Sequence, residues 1–119
     1  IVSKLEEKEE AAFKVLSQVS ITWAIPVLLR LGYFETLRFN QLKNTLRGVS
    51  SRSLSRTLSS LVSNGIVSRE VRNGTPPQVF YSLTMKGKEL EELMDNFSEL
   101  SEKWNSSESD SETIEVSVA

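Results

Sequence analysis

The sequence predicts a mainly α-helical domain carrying one small β-hairpin, and three observations lead there. Apolar residues recur at helical spacing over most of the chain, but residues 66–83 change to a period of two around the turn-forming run Asn73-Gly74-Thr75-Pro76-Pro77. Two short helical segments, separated by a break that contains Gly48, come directly before that hairpin. The charge is also segregated. Residues 36–88 hold nine Lys/Arg against Glu70 alone, a balance of +8, whereas residues 89–119 hold Lys103 against ten acids, a balance of −9. With −1 on residues 1–35, the net charge of −2 hides a central block that suits a polyanion.

At 119 residues the chain makes one domain whose core can bury roughly two thirds of the unfolded surface. It contains no cysteine and no histidine, which removes disulfides, thiolate metal sites, thiol nucleophiles and the commonest general base. Ser, Asp and Lys are present, but no spacing makes a catalytic set, so the reading is a non-enzyme with neither metal nor cofactor. No apolar run approaches the roughly 18 residues of a membrane span. The start IVSKLEEKEE also lacks the apolar core of a signal peptide, and the expected location is cytoplasmic. Without a secretory signal, the Asn-x-Ser/Thr triplets at Asn73, Asn96 and Asn105 are coincidences of a Ser-rich chain.

Taken in order, residues 2–19 place Leu5, Ala12, Phe13, Leu16 and Val19 on one side, with Glu6, Glu7, Glu9 and Glu10 near the helix start where the macrodipole favours acids. Ser20 or Thr22 can cap a second helix, Trp23 to Leu31, which tolerates Pro26 near its first turn and ends at Gly32. Trp23 reads as a core anchor. A short helix follows with Asn40 as its cap, Leu42 and Leu46 inward and Gly48 as its stop.

The next stretch, from Val49 to Ile66, carries the helix that organises the rest. Leu54, Leu58, Leu61 and Val62 follow i, i+4, i+7, i+8 and require burial. Opposite them lie Arg52, Ser53, Arg56, Ser59, Ser60 and Ser63, with no acid in the run; Ser50 is the N-cap, Ser51 opens the helix, and Asn64-Gly65 stops it. Arginines among small hydroxyls suit phosphates and base edges, although a Ser-rich solvated face reads the same way locally.

The two helices make a helix-turn-helix, a unit that also occurs in proteins that never touch DNA. In the hairpin, Val67, Val71, Val79, Tyr81 and Leu83 alternate with Ser68, Arg72, Gln78 and Ser82. Appended to a helix-turn-helix, the hairpin is a wing, with Arg69, Arg72 and Asn73 on or near its tip; exposed arginines also protect edge strands. Thr84 caps the last helix, Met85 to about Trp104, whose Leu90, Leu93, Phe97, Leu100 and Trp104 are spaced 3, 4, 3, 4 as in a heptad seam, with Met94 beside them. That seam packs on the chain's own first helix or on a partner. Residues 105–119 are an acidic, Ser-rich tail read as solvated, and the alternation of Ile114, Val116 and Val118 leaves a docked terminal strand open.

The run from Trp23 to Gly87 resembles the HxlR-type winged-helix transcriptional regulators, relatives of the MarR group. The resembling residues are Trp23, Arg38-Phe39, Leu42, Leu46, Gly48-Val49-Ser50, Leu54-Ser55, Leu58, Leu61, Gly65-Ile66-Val67 and Arg69. The most specific piece is PPQVFYSLTMKG, similar to the wing exit of that family. The resemblance implies a small dimeric repressor or activator on operator DNA. Many such relatives carry a cysteine shortly before the Trp, where this chain has Ser17 and Ser20, so its signal is not thiol oxidation.

The expectation is a winged helix-turn-helix over residues 1–104, with helices at about 2–19 and 85–104 for dimerisation. DNA contacts are expected from Arg38, Ser50, Ser51, Arg52, Ser53, Arg56, Ser59, Ser60, Arg69, Arg72, Asn73 and Gln78, and dimer contacts from Leu90, Leu93, Met94, Phe97, Leu100 and Trp104. The partners are double-stranded DNA at an inverted repeat, a second copy of the chain and a small-molecule effector of unspecified chemistry, with no membrane. The alternative is a winged-helix module that binds another protein, against which the +8 block argues.

Overall fold

The computed structural model describes residues 2–110. Its elements are α1 (Val2–Val19), α2 (Ala24–Phe34), β1 (Thr36–Arg38), α3 (Phe39–Thr45), α4 (Ser51–Ser63), β2 (Val67–Arg72), β3 (Gln78–Leu83) and α5 (Met85–Asp110). The core is built where α2, α3 and α4 meet the sheet. Val27, Leu28 and Leu31 of α2, Leu42 of α3 and Leu54, Leu58 and Leu61 of α4 are buried together with Ile66, Val67 and Leu83. Among the described residues no single helix is long and apolar enough to cross a membrane.

The hairpin forms as its alternation requires, with Val67 opposite Leu83, Arg69 opposite Tyr81 and Val71 opposite Val79. A third strand, β1, joins it, giving the antiparallel order β1-β3-β2 with Leu37 opposite Tyr81. Three residues between two helices are too few to show a period of two, so β1 has no signature in the sequence. Val71 was expected inside but is 52% exposed, because the hairpin projects beyond the helices that could cover its outer end.

Several helix ends differ from the sequence expectation. The end of α2 lies beyond Gly32, at Glu35, which takes φ 69 while its N–H donates to Leu31 O at 3.0 Å. Gly32 serves close packing instead: a Cβ there would overlap the carboxylate of Glu91 on α5. Trp23 occupies the N-cap position of α2 without a side-chain bond, so neither Ser20 nor Thr22 caps it. Arg38, not Asn40, is the N-cap residue of α3, and its N–H donates to Gln41 Oε1 at 2.9 Å. In α1 no acid falls in the first turn.

Gly65 (φ 71) closes α4 as predicted, and the chain returns to bury Ile66. Thr84 then fastens α5 to this corner: its Oγ1 donates to Gly65 O at 2.6 Å and accepts from Gly87 N at 3.0 Å. Gly87 sits so close that a Cβ would collide with the carbonyl of Ile66. From there α5 runs 26 residues, about 39 Å. It continues six residues past Trp104, so Asn105 to Asp110 are helix rather than tail. Ile114, Val116 and Val118 lie outside the described residues.

The seam of α5 is divided. Leu90 and Met94 are buried in the chain's own core, so these two expected dimer residues are already used. Leu93, Phe97, Leu100 and Trp104 stay 43–59% exposed, as do Val2, Leu5, Phe13 and Leu16 of α1 at 53–69%. The two apolar stripes therefore do not cover each other within one chain.

Candidate nucleic-acid interface

Ser50 starts α4 as the spacing predicts: its Oγ accepts from Ser53 N at 3.0 Å, satisfying one of the free amides at the helix start. At 100° per residue, burial of Leu54, Thr57, Leu58 and Leu61 turns Arg52, Arg56, Ser59 and Ser63 directly away from the core, and all four are exposed. The two arginines stand one turn apart on this stripe. Ser53 and Ser60 are only half exposed, because they flank the α1–α2 connection and line a cleft with Ile21, Thr22 and Trp23. Ser51 is exposed at the first turn.

The opposite flank carries a residue that the sequence reading left out of its contact set. Ser55 is exposed and faces the hairpin, lining a groove of about 460 Å³ with Ser59, Ser63, Arg69 and Tyr81. The helical wheel alone puts Ser55 beside Val62; the packing of the hairpin there makes that flank a groove. Arg69 was expected near the wing tip but lies in the register of Tyr81, next to α4. Arg72 lies near the turn as expected. Its Nε donates to Glu70 Oε1, and its guanidinium stacks over Phe80 with 4.0 Å to the ring centroid.

Of the remaining expected contacts, Asn73 and Gln78 are exposed at the turn end of the hairpin, and between them the Thr75–Pro76 bond is cis. Arg38 is exposed at the far edge of the sheet, on β1, opposite Phe80 of β3. The cleft beside it holds Asn40, Gln41, Pro76, Pro77 and Gln78. Arg38 therefore stands with the turn end of β3, separated by the sheet from the outward stripe of α4.

Two other cations, Arg30 just before the basic block and Lys86 within it, have structural partners. Arg30 of α2 donates from Nη2 to Thr45 O at 3.3 Å, and Lys86 of α5 donates to Asn64 O at 3.0 Å, so each neutralises the C-terminal end of one helix of the motif. Among the described residues the ion pair is Arg72 with Glu70. The acids of α5 thus leave Arg52, Arg56 and Arg69 unpaired among the described residues, and their pairing with the basic block does not account for its excess of positive charge.

The comparisons agree with this geometry. The HTH-type transcriptional regulator YdzF of Bacillus subtilis is 30% identical over 95 residues, covering 79% of this chain and 87% of the relative. A transcriptional regulator of the MarR family from Enterococcus faecalis superposes with a TM-score of 0.76 at 27% identity, over 86% of this chain and 92% of that one. Diamide-treated YodB from B. subtilis superposes with a TM-score of 0.64 at 28% identity, over 81% and 91% of the two chains; this chain, by contrast, contains no cysteine. The family described as HxlR-like helix-turn-helix matches residues 18–109, which include both helices of the motif, the hairpin and nearly all of α5. The chain belongs to that family of MarR-like, winged helix-turn-helix, DNA-binding transcription regulators.

Proposed function

We propose that the protein is a cytoplasmic, sequence-specific regulator that binds an inverted-repeat operator in double-stranded DNA as a homodimer. The observation that carries this reading is the outward stripe of α4, where Arg52 and Arg56 are exposed and, among the described residues, unpaired, with no acid in the helix itself. Entering the major groove, a guanidinium there can meet guanine O6 and N7 in a bidentate contact, while Ser59 and Ser63 reach base edges or phosphates. The hairpin adds backbone contacts beside the groove.

Dimer formation uses the apolar surface that one chain leaves uncovered, Leu93, Phe97, Leu100 and Trp104 of α5 with Leu5, Phe13 and Leu16 of α1. A two-fold axis makes such a surface self-complementary and presents two α4 helices to major grooves about 34 Å apart or a multiple of that. An inverted repeat follows from this symmetry.

The test is a gel shift with random-sequence duplex at low salt, followed by selection of bound genomic fragments. Arg52→Ala with Arg56→Ala should weaken binding to the selected operator by at least the loss of one bidentate contact, about 1–3 kcal/mol, and relax its sequence preference. Unchanged operator binding would remove α4 from the interface. A parent that binds no DNA at low salt would point instead to a protein partner.

A further inference from the structure

The alternation of β2 sends its two arginines to opposite faces of the sheet. Glu70 and Arg72 share the face of Phe80 and Gln78, and there Arg72 is held by the Glu70 carboxylate and the Phe80 ring. Arg69 shares the face of Tyr81 and stands over the flank of α4. Among the described residues it makes no ion pair and no side-chain hydrogen bond, and neither do the hydroxyls of Ser55, Ser59 and Ser63 across the groove. Leu58, Val62 and Tyr81 complete the lining. One cation and three unengaged hydroxyls thus converge over an apolar floor. The sole acid of the hairpin lies on the other side of the strand.

We propose that this groove seats a phosphate of the DNA backbone, and that Arg69 rather than Arg72 is the principal phosphate contact of the hairpin. The inference rests on the reading of the protein as a binder of double-stranded DNA. A guanidinium offers a planar pair of donors that matches two phosphate oxygens, and serine hydroxyls supply the further donors that a tetrahedral anion accepts. The apolar floor keeps water from screening the charge from below. Position supports the same ligand: the groove lies along the Ser55–Ser59–Ser63 flank of α4, so a helix seated in the major groove brings one bounding strand of the duplex against it. Arg72 would have to give up Glu70 to bind a phosphate, and the pair as a whole is neutral, so its engagement displaces little counterion.

The test is the salt dependence of binding to a labelled random-sequence duplex, followed by fluorescence anisotropy with the full chain. Arg69→Gln should lower the slope of log affinity against log salt by about 0.9, the release expected for one phosphate contact. Arg69→Lys should keep the parental slope, and Arg72→Gln should change it by less than half as much as Arg69→Gln. Ser59→Ala should weaken binding a few-fold without altering the slope, which provides a reading independent of charge. Thermal melts of the Arg69 and Ser59 variants are expected to match the parent, since among the described residues these side chains make no hydrogen bond or ion pair. An Arg69→Gln protein with the parental slope, or an Arg72→Gln protein with the larger loss, overturns the inference while leaving DNA binding intact. A parent that fails to bind the duplex overturns the function and this inference together. Inorganic phosphate at constant ionic strength separates the sources of the anion. Saturable binding of it that Arg69→Gln abolishes, with an unchanged DNA slope, assigns the groove to a free anion and overturns the DNA assignment.

Discussion

α4 and α5 are both amphipathic helices of one small domain, yet they dispose of their apolar residues in opposite ways. In α4 every large aliphatic turns into the chain's own core, leaving a stripe of Arg and Ser for solvent. In α5 the apolar residues are divided: Leu90 and Met94 pack inward, while Leu93, Phe97, Leu100 and Trp104 face outward along a helix that outruns the body it covers. Helical spacing identifies which residues share a face. It does not say whose surface will cover them, because that depends on how far the rest of the fold extends.

The sharpest way to break this comparison is to strike the two sets of α5 residues separately. Leu90→Ala removes a buried side chain at the junction with the core and should cost about 2–5 kcal/mol in urea denaturation, measured at fixed protein concentration. A loss below 1 kcal/mol, in the range of an exposed site, would show that Leu90 is not core.

Leu93→Glu combined with Phe97→Glu acts on the outward set. Two half-sites read by one dimer gain from effective concentration, so a monomeric variant should bind the operator about 100-fold more weakly and random DNA nearly as well as the parent. Sedimentation at micromolar concentration should show the dimer of the parent reduced to monomer. A double variant that stays dimeric would place the interface elsewhere.

The smallest expected effect lies where α5 crosses α2. Burial raises the pKa of Glu91 above the ordinary carboxylate value, and Asp95 and Glu92 push it the same way. A raised carboxylate favours the protonated fold: that stability is present below the unfolded value and is lost as pH rises through the folded one. Glu91→Gln should therefore melt slightly higher than the parent at neutral pH, with the gap closing as pH falls toward about 4.3. A gap that is constant with pH would assign the effect to packing over Gly32 instead.

Much of the candidate interface was legible before any coordinates. The 3.6 period of Leu54, Leu58 and Leu61, the Ser50 cap and the Gly65 stop are consequences of neighbours within a few residues, and each appears where the spacing puts it. The hairpin is equally local, since a period of two on either side of Asn73-Gly74 specifies both strands. The excess of cations over residues 36–88 needs only counting.

Tertiary structure decided what depends on surfaces meeting across the chain. β1 exists because β3 offers an edge to Leu37, not because three residues prefer to be extended. α2 runs through Gly32, where the carboxylate of Glu91, from a helix nearly sixty residues later, packs against it. Arg69 and Arg72 look alike in sequence, but strand alternation gives one a carboxylate and a ring, and the other an open groove beside α4. Sequence alone determined the helix face presented to solvent, because periodicity and capping act within one or two turns. Which arginine stays free and which leucines remain uncovered were decided by packing, because burial belongs to pairs of elements rather than to either one.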